Sequence, residues 1–133
     1  MNKMTIIKVR PKSAPECVEI DGMLKTMQDI VGGYIEVVGL FGDWACIVCN
    51  EEGKMMGLEP NRVLIDENGN PYDILCGTFF VVGTDEYGEE FESLTEEQIA
   101  WYMQALAGSC ISNTHDRKEM TGMVYTGVRK SEV

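Results

Sequence analysis

The 133-residue sequence lacks the features typical of an enzyme, a membrane protein or a secreted protein. It contains a single histidine, His115, and none of the motifs of serine hydrolases, zinc proteases, phosphate-binding loops or dinucleotide-binding folds. No run approaches the roughly 18 apolar residues of a membrane span, and the first residues carry no long apolar stretch of the signal-peptide kind. We therefore predict a cytoplasmic protein that is not an enzyme, needs no cofactor and does not enter a membrane.

The cysteines are too few and too irregularly spaced for a disulfide framework. There are five, an odd number, at positions 17, 46, 49, 76 and 110. Cys46 and Cys49 have the spacing of a metal or redox pair, but residues three apart on a strand face opposite sides, and no second pair completes four ligands. The pattern favours buried, reduced thiols and predicts no metal site.

Basic residues are scarce in the middle of the chain. The formal net charge is −11, and residues 13–107 contain only Lys25, Lys54 and Arg62 against nineteen acidic residues. Such a body repels the nucleic-acid backbone, so direct binding to DNA or RNA is not expected. Two interpretations stay open: the acidic surface keeps the protein soluble, or it meets a basic partner protein.

The periodicity of the apolar residues indicates an α+β fold. The spacing predicts a helix from Met23 to Val31, ended by Gly32-Gly33, and a second helix that begins at the capping box of Thr95 and Gln98. Strand-like segments occur at 5–10, 34–40, 44–49, 62–65 and 73–83, the last interrupted at Gly77. We predict a largely antiparallel sheet of about five strands with two helices on one face.

The pattern weakens after the second helix. We predict a single compact domain over residues 1–107 and a C-terminal tail over 108–133. Within this tail, Met123-Val124-Tyr125 is suited either to an added edge strand or to docking on a partner.

A first candidate site surrounds one of the rare cations. Asn61 and Arg62 stand at an irregular point between strands, and we consider them able to bind a small anionic or nucleotide-like ligand. In this hypothesis Tyr34 stacks on the ligand and Glu36 accepts a hydrogen bond from it. The competing interpretation is a structural arginine paired with one of the many carboxylates.

A second candidate site is the acidic segment between the last strand and the second helix. Residues 85–97 contain seven acidic residues and no basic one. As a protein-binding surface, the segment would use Tyr87 and Phe91 as apolar anchors and Glu89 and Glu90 as charges toward a basic patch. The plain alternative is a solvated loop whose acids favour the start of the helix.

Four segments carry a family resemblance. They are Val31-Gly-Gly-Tyr-Ile-Glu-Val-Val38, Asn50-Glu-Glu-Gly-Lys54, Gly57-Leu-x-Pro-Asn-Arg62 and Asp73-Ile-Leu-Cys-Gly77. In their order and spacing the chain resembles a family of small proteins from phages and mobile elements of Gram-positive bacteria, a domain of unknown function that is number three-eight-four-six in its series. The resemblance covers roughly residues 3–107. It implies an accessory protein, often one that counters host defence, and supplies no catalytic residue.

These observations leave three functional hypotheses in order of preference. The first is a non-enzymatic accessory binding protein that sequesters a small nucleotide-type ligand. The second is an acidic mimic of nucleic acid, or a protein-binding inhibitor, that occupies a basic groove of a host protein. The third is an enzyme of unrecognised type, and a homo-oligomer is compatible with all three.

Overall fold

The fold consists of two β-sheets and two helices, as seen in a computed structural model that describes residues 3–40, 44–65, 68–108, 110–112 and 123–125. His115 therefore lies outside the described residues. The elements in chain order are β1 (Met4–Val9), β2 (Glu16–Ile20), α1 (Leu24–Val31), β3 (Ile35–Leu40), β4 (Ala45–Asn50), β5 (Pro60–Ile65), β6 (Pro71–Cys76), β7 (Phe79–Thr84), β8 (Phe91–Glu92), α2 (Glu96–Ala105), β9 (Cys110–Ser112) and β10 (Met123–Tyr125).

The first sheet has the strand order β2-β1-β7-β4-β3, and the short β8 pairs with β7. All its pairings are antiparallel. The α+β class and the largely antiparallel sheet are thus confirmed, with five strands along the main path. The second sheet has the order β10-β9-β5-β6, in which β5 and β6 are antiparallel and β9 runs parallel to its neighbours.

The end of α1 and the start of α2 lie where the sequence predicts, for local physical reasons, whereas α2 ends at Ala105, before the predicted stop at Gly108. Helix α1 stops at Gly32, which adopts the left-handed conformation and donates its N–H to the carbonyl of Gln28. Helix α2 begins with the predicted capping box, in which Thr95 and Gln98 satisfy each other's backbone donors. Neither of these described helices is long and apolar enough to cross a membrane.

The two faces of the first sheet are covered differently. Ile7, Ile47 and Val81 point to a face that is covered by α2 and the second sheet, whereas their neighbours Ile6, Val48 and Phe80 point to a face covered by α1. The helices therefore lie on opposite faces, where the sequence pattern led us to expect one face. Helical periodicity shows which side of a helix is apolar but does not specify which face of the sheet receives it.

The buried cysteines follow the same alternation. Cys46 and Cys49 are 2% and 3% exposed and belong to the clusters on opposite faces of the sheet. They pack as small apolar residues, as predicted from their spacing on a strand.

The predicted strand 73–83 is two strands in different sheets. β6 pairs with β5 in the second sheet, while β7 lies at the centre of the first. The chain crosses at Gly77, where φ is +85° and an added Cβ would lie 2.7 Å from the side chain of Leu58. The interruption expected at Gly77 is confirmed as a close approach, but it divides the segment between the sheets.

The predicted C-terminal tail contributes to the second sheet. Of residues 108–133, the structure describes 108, 110–112 and 123–125. Met123–Tyr125 forms an edge strand beside β9, as one of the two sequence interpretations held, and β9 pairs with β5.

Candidate functional site

Arg62, the centre of the first predicted site, is a buried residue. It is 5% exposed, and burial lowers the pKa of its guanidinium from the usual value. Its Nη2 donates to the carbonyls of Ser13 and Leu106 at 3.1 and 2.9 Å, and its Nη1 donates to the carbonyl and Oδ1 of Asn61 at 3.2 and 2.8 Å. Its Nε has no partner among the described residues.

Arg62 donates its hydrogen bonds to uncharged oxygens. The competing interpretation of a structural arginine is thus correct, but its expected pairing with a carboxylate is not. No salt bridge involves Arg62 in the part of the chain that the structure describes. Leu106 follows directly on α2, whose last turn contains no basic residue of its own. Arg62 therefore supplies a cation to the negative end of that helix and ties it to β5 and to the loop after β1.

Asn61 is equally committed to the fold. Its Nδ2 donates to the carbonyl of Val9 at 3.0 Å and to that of Gly77 at 2.8 Å. Its Oδ1 accepts the bond from Arg62. Both hydrogens and an acceptor position of the amide are thus used inside the protein, which leaves little for a ligand.

Tyr34 and Glu36 are exposed and lie in different clefts. Tyr34, 71% exposed, lines a cleft of about 510 Å³ between the end of α1 and the turn after β4. Glu36 lines a second cleft, of about 320 Å³, and Arg62 lines neither of them. The predicted pocket of Tyr34, Glu36, Asn61 and Arg62 is therefore corrected: Tyr34 and Glu36 line different clefts, and Asn61 and the buried Arg62 are bonded within the fold.

The cleft beside Glu36 contains an ion pair of its own. Lys54 donates from Nζ to Asp73, and this hydrogen bond raises the pKa of Lys54 above its usual value. Desolvation raises the pKa of Asp73, whereas the hydrogen bond from Lys54 lowers it. The net shift of this pKa is downward. Lys54, the one basic residue among the described lining of this cleft, is thus already paired with a neighbouring carboxylate and is not a vacant cation for an anionic ligand.

The second predicted site is an ordered hairpin. Thr84 of β7 pairs with Phe91 of β8, and the loop between them is closed by the N–H of Asp85 on the carbonyl of Glu90 at 3.0 Å. The carboxylate of Asp85 also accepts the N–H of Glu89 at 2.8 Å. Because the loop is held at both ends, Tyr87 at its tip has a defined position.

A groove of about 300 Å³ opens beside this hairpin. Its walls include Tyr87 and Phe91 from the acidic segment, Val37 from β3 and the side chain of Trp44. The structure thus brings the two predicted apolar anchors together. Glu89 and Glu90 are exposed on the same loop, outside the groove lining.

Trp44 is the groove residue that the sequence did not reveal. It is 60% exposed and has a φ of +51°, which is unusual for a residue with a side chain. Its carbonyl accepts hydrogen bonds from the N–H of Thr84 at 2.8 Å and from the side chain of Gln98 at 3.4 Å. The packed surroundings therefore fix a strained backbone that presents an indole to solvent.

Comparison with known proteins gives the family of the chain. Residues 4–107 match a family model described as "Domain of unknown function (DUF3846)". The chain belongs to the DUF3846 family. The match includes every residue of the groove, from Val37 to Phe91, as well as both helices. Neither the search of curated proteins nor the search of solved structures gave a match.

The four segments behind the resemblance meet within the DUF3846 domain. Asn50 donates from Nδ2 to the carbonyl of Val31 at 3.0 Å, which joins the first segment to the second. Gly53 lies against Cys76, and an added Cβ would be 2.7 Å from its carbonyl oxygen. These contacts give the segments a role in joining α1 and the two sheets.

The described lining of the groove in the DUF3846 domain combines apolar and aromatic side chains with carboxylates. Among the residues that the structure describes, Asp85 and Glu86 are its only charged lining residues, and its other walls are largely apolar or aromatic. Cys46 also lines the groove, but burial raises the pKa of its thiol to about 12, so the thiol is protonated at neutral pH. An acidic rim around exposed aromatic rings matches a chain that is both basic and apolar.

Proposed function

We propose that this protein is a non-enzymatic binding protein whose acidic, aromatic groove captures a basic segment of a partner protein. The observation that carries the proposal is the groove, where Trp44 and Tyr87 stand exposed beside Asp85 and Glu86 and no described lining residue is basic. Exposed aromatic side chains next to carboxylates attract lysine and arginine through charge and through cation–π contact. The hairpin that presents Tyr87 is ordered by internal hydrogen bonds, which lowers the entropic cost of binding.

The geometry favours this role over capture of a nucleotide-type ligand. A phosphate needs accessible cations, and Arg62 is buried while Lys54 is paired with Asp73. The acidic body also repels anions over a longer range. We therefore place the acidic inhibitor first among the functional hypotheses.

The biological setting of the proposal rests on the family resemblance alone. Small accessory proteins of phages and mobile elements often act on host defence proteins, many of which have basic grooves for nucleic acid. In that setting the groove would occupy such a surface of a host protein, in competition with nucleic acid.

Charge reversal tests the proposal. The probe is a fluorescent nine-residue peptide of alternating arginine and valine, the Arg-Val probe, titrated with the protein at low salt. The double variant Glu89→Lys and Glu90→Lys should bind the probe between about tenfold and a hundredfold more weakly, because two exposed acids near the groove become bases. Raising the salt concentration should weaken binding to the unaltered protein.

The matched control reverses two other exposed acids. Glu51→Lys and Glu52→Lys change the net charge by the same amount in the turn after β4, and affinity should fall by less than about threefold. Equal losses in the two double variants would mean that only net charge matters and would refute a groove-specific site. A rise in melting temperature with a nucleotide, without binding of the probe, would support the small-ligand hypothesis instead.

A further inference from the structure

β3 is the outermost strand of the first sheet. It pairs with β4, and no other described strand pairs with it. The register with β4 is regular over six residue pairs, from Ile35 opposite Asn50 to Leu40 opposite Ala45. A regular edge strand presents a row of unpaired N–H and C=O groups on its outer side.

The hydrogen-bond pattern identifies which backbone groups face outward. The N–H of Glu51 donates to the carbonyl of Tyr34 at 2.9 Å, so these two residues are a hydrogen-bonded pair of the antiparallel ladder. Such pairs alternate along the strand, and Glu36 and Val38 therefore also bond to β4. The N–H and C=O groups of the residues between them, Ile35, Val37 and Gly39, point to the open edge.

β3 has only one of the usual protections of an edge, the charge of Glu36. Edge strands are commonly blocked by charged residues, above all lysine, by proline or by bulges. β6, an edge of the second sheet, begins with Pro71 and has two register shifts against β5, and β2 follows Pro15. The sequence of β3 has neither lysine nor proline, and its pairing with β4 has no shift.

The open edge leads directly into the groove. Val37 and Gly39 line the groove, and no atom of the described residues lies within 4 Å of the position that a Cβ of Gly39 would take. Side chains of successive residues in a strand alternate between faces, so a strand added beside β3 would direct every second side chain over the groove. There it would meet Trp44, Tyr87 and the carboxylates of the rim.

We propose that the partner's basic segment binds as an extended strand added to the outer edge of β3. This inference rests on the proposed function and specifies how the groove is used: backbone hydrogen bonds to Val37 and its neighbours give affinity, and alternate basic and apolar side chains give selectivity. Charge complementarity selects the occupant. A second copy would bring another chain of net charge −11 and a second Glu36 to the same edge, which like-charge repulsion opposes.

A proline in β3 tests the inference. Val37→Pro removes an outward N–H without removing a ladder bond to β4, and proline is tolerated on edge strands in this orientation. Affinity for the Arg-Val probe should fall about tenfold, the size of one lost backbone hydrogen bond. The control Val37→Thr keeps the N–H and a branched side chain, so it should lose clearly less affinity than Val37→Pro.

Methylated probes make the test independent of protein variants. Two Arg-Val probes carry N-methyl groups on alternate residues, one set on the arginines and the other on the valines. Because an added strand turns only every second N–H toward β3, one methylated probe should lose on the order of a hundredfold in affinity and the other should bind nearly as before.

The outcomes separate the inference from the proposed function. Equal binding by both methylated probes, together with equal affinities of Val37→Pro and Val37→Thr, would overturn strand addition and leave groove binding intact. Failure of the unaltered protein to bind any probe would overturn both. If the unaltered protein sediments as a dimer and Val37→Pro sediments as a monomer, the edge binds a second copy. That result would overturn the inference.

Discussion

Arg62 differs from the groove residues Trp44 and Tyr87 in its exposure to solvent, and in each case the exposure is the opposite of what the residue type suggests. Arg62 is one of three basic residues in an acidic body, yet it is 5% exposed and donates four hydrogen bonds within the chain. Trp44 and Tyr87 are large aromatic residues, which usually contribute to a core, yet they are 60% and 75% exposed. The rare cation stabilises the fold, and the aromatic residues face solvent.

This difference indicates that the accessibility of a side chain, more than its residue type, decides which of the two candidate sites can bind a ligand. A buried guanidinium surrounded by carbonyl oxygens has already exchanged its water for protein partners and has little left to offer a ligand. An exposed aromatic ring on a fixed backbone retains its apolar surface for a partner. Three predictions test this contrast, from the largest expected effect to the smallest.

The largest effect is expected for Arg62→Met. The substitution keeps an apolar stem but leaves the carbonyls of Ser13 and Leu106 without their donor, and it should lower the free energy of unfolding by about 3 kcal/mol. Urea denaturation measures the loss. The control Lys25→Met removes a cation from an exposed pair with Asp29 and should cost under about 0.5 kcal/mol. A similar small cost for both variants would mean that Arg62 does not hold the fold together.

An intermediate effect on stability is expected when the pH is raised, because of the buried Cys46 thiol that lines the groove. The pKa of Cys46 is about 12 in the folded protein and 9.0 for a free thiol, so the folded state holds this proton more tightly. Its contribution to stability is complete below pH 9 and is lost as the pH rises from 9 to 12, with about 1.4 kcal/mol lost by pH 10. Urea denaturation at pH 7 and pH 10 measures the total change, to which Cys49 also contributes because burial raises the pKa of its thiol to about 12, and the variant Cys46→Ala isolates the share of Cys46.

The alanine variants of two cysteines provide the comparison. Cys46→Ala should reduce the alkaline loss of stability, and Cys17→Ala, at an exposed position, is the control for removal of a thiol. If Cys46→Ala does not reduce the alkaline loss of stability, water already reaches this thiol in the folded protein. The groove would then admit water to the core, whereas the region around Arg62 is closed to it.

The smallest effect on stability is expected for Trp44→Asn. Asparagine adopts positive φ more readily than tryptophan, and little packing is lost at a side chain that is 60% exposed, so stability should stay equal or rise by up to about 1 kcal/mol. Affinity for the Arg-Val probe should fall about tenfold because an aromatic anchor is lost. Trp44→Phe, as a control, should retain most of the affinity, and a loss of stability above about 1 kcal/mol in Trp44→Asn would show that the indole serves the fold.

Local signals in the sequence predicted the local structure well. The stop of α1 at Gly32 and the capping box of α2 are confirmed, because each depends on a few residues close together in the chain. The placement of α1 and α2 on opposite faces and the division of 73–83 at Gly77 were not predicted, because both depend on contacts between distant segments.

The same distinction between local signals and distant contacts applies to the candidate sites. The acidic segment pointed to Tyr87 and Phe91, which the structure brings into one groove. The burial of Arg62 in β5 could not be predicted, since an arginine is usually exposed. Trp44 was missed because its backbone conformation is imposed by neighbours such as Thr84 and leaves no local pattern.

The central position of β7 has a consequence for how the chain folds. β7 pairs with both β1 and β4, and Ile7 lies opposite Val81, yet the β5-β6 hairpin of the second sheet precedes β7 in the chain. During synthesis, the hairpins β1-β2 and β3-β4 emerge before the strand that joins them, each with an apolar edge open to other chains. The first sheet can close only when β7 arrives, so folding should be slow for a domain of this size, and the nascent chain should be most prone to aggregation just before that moment.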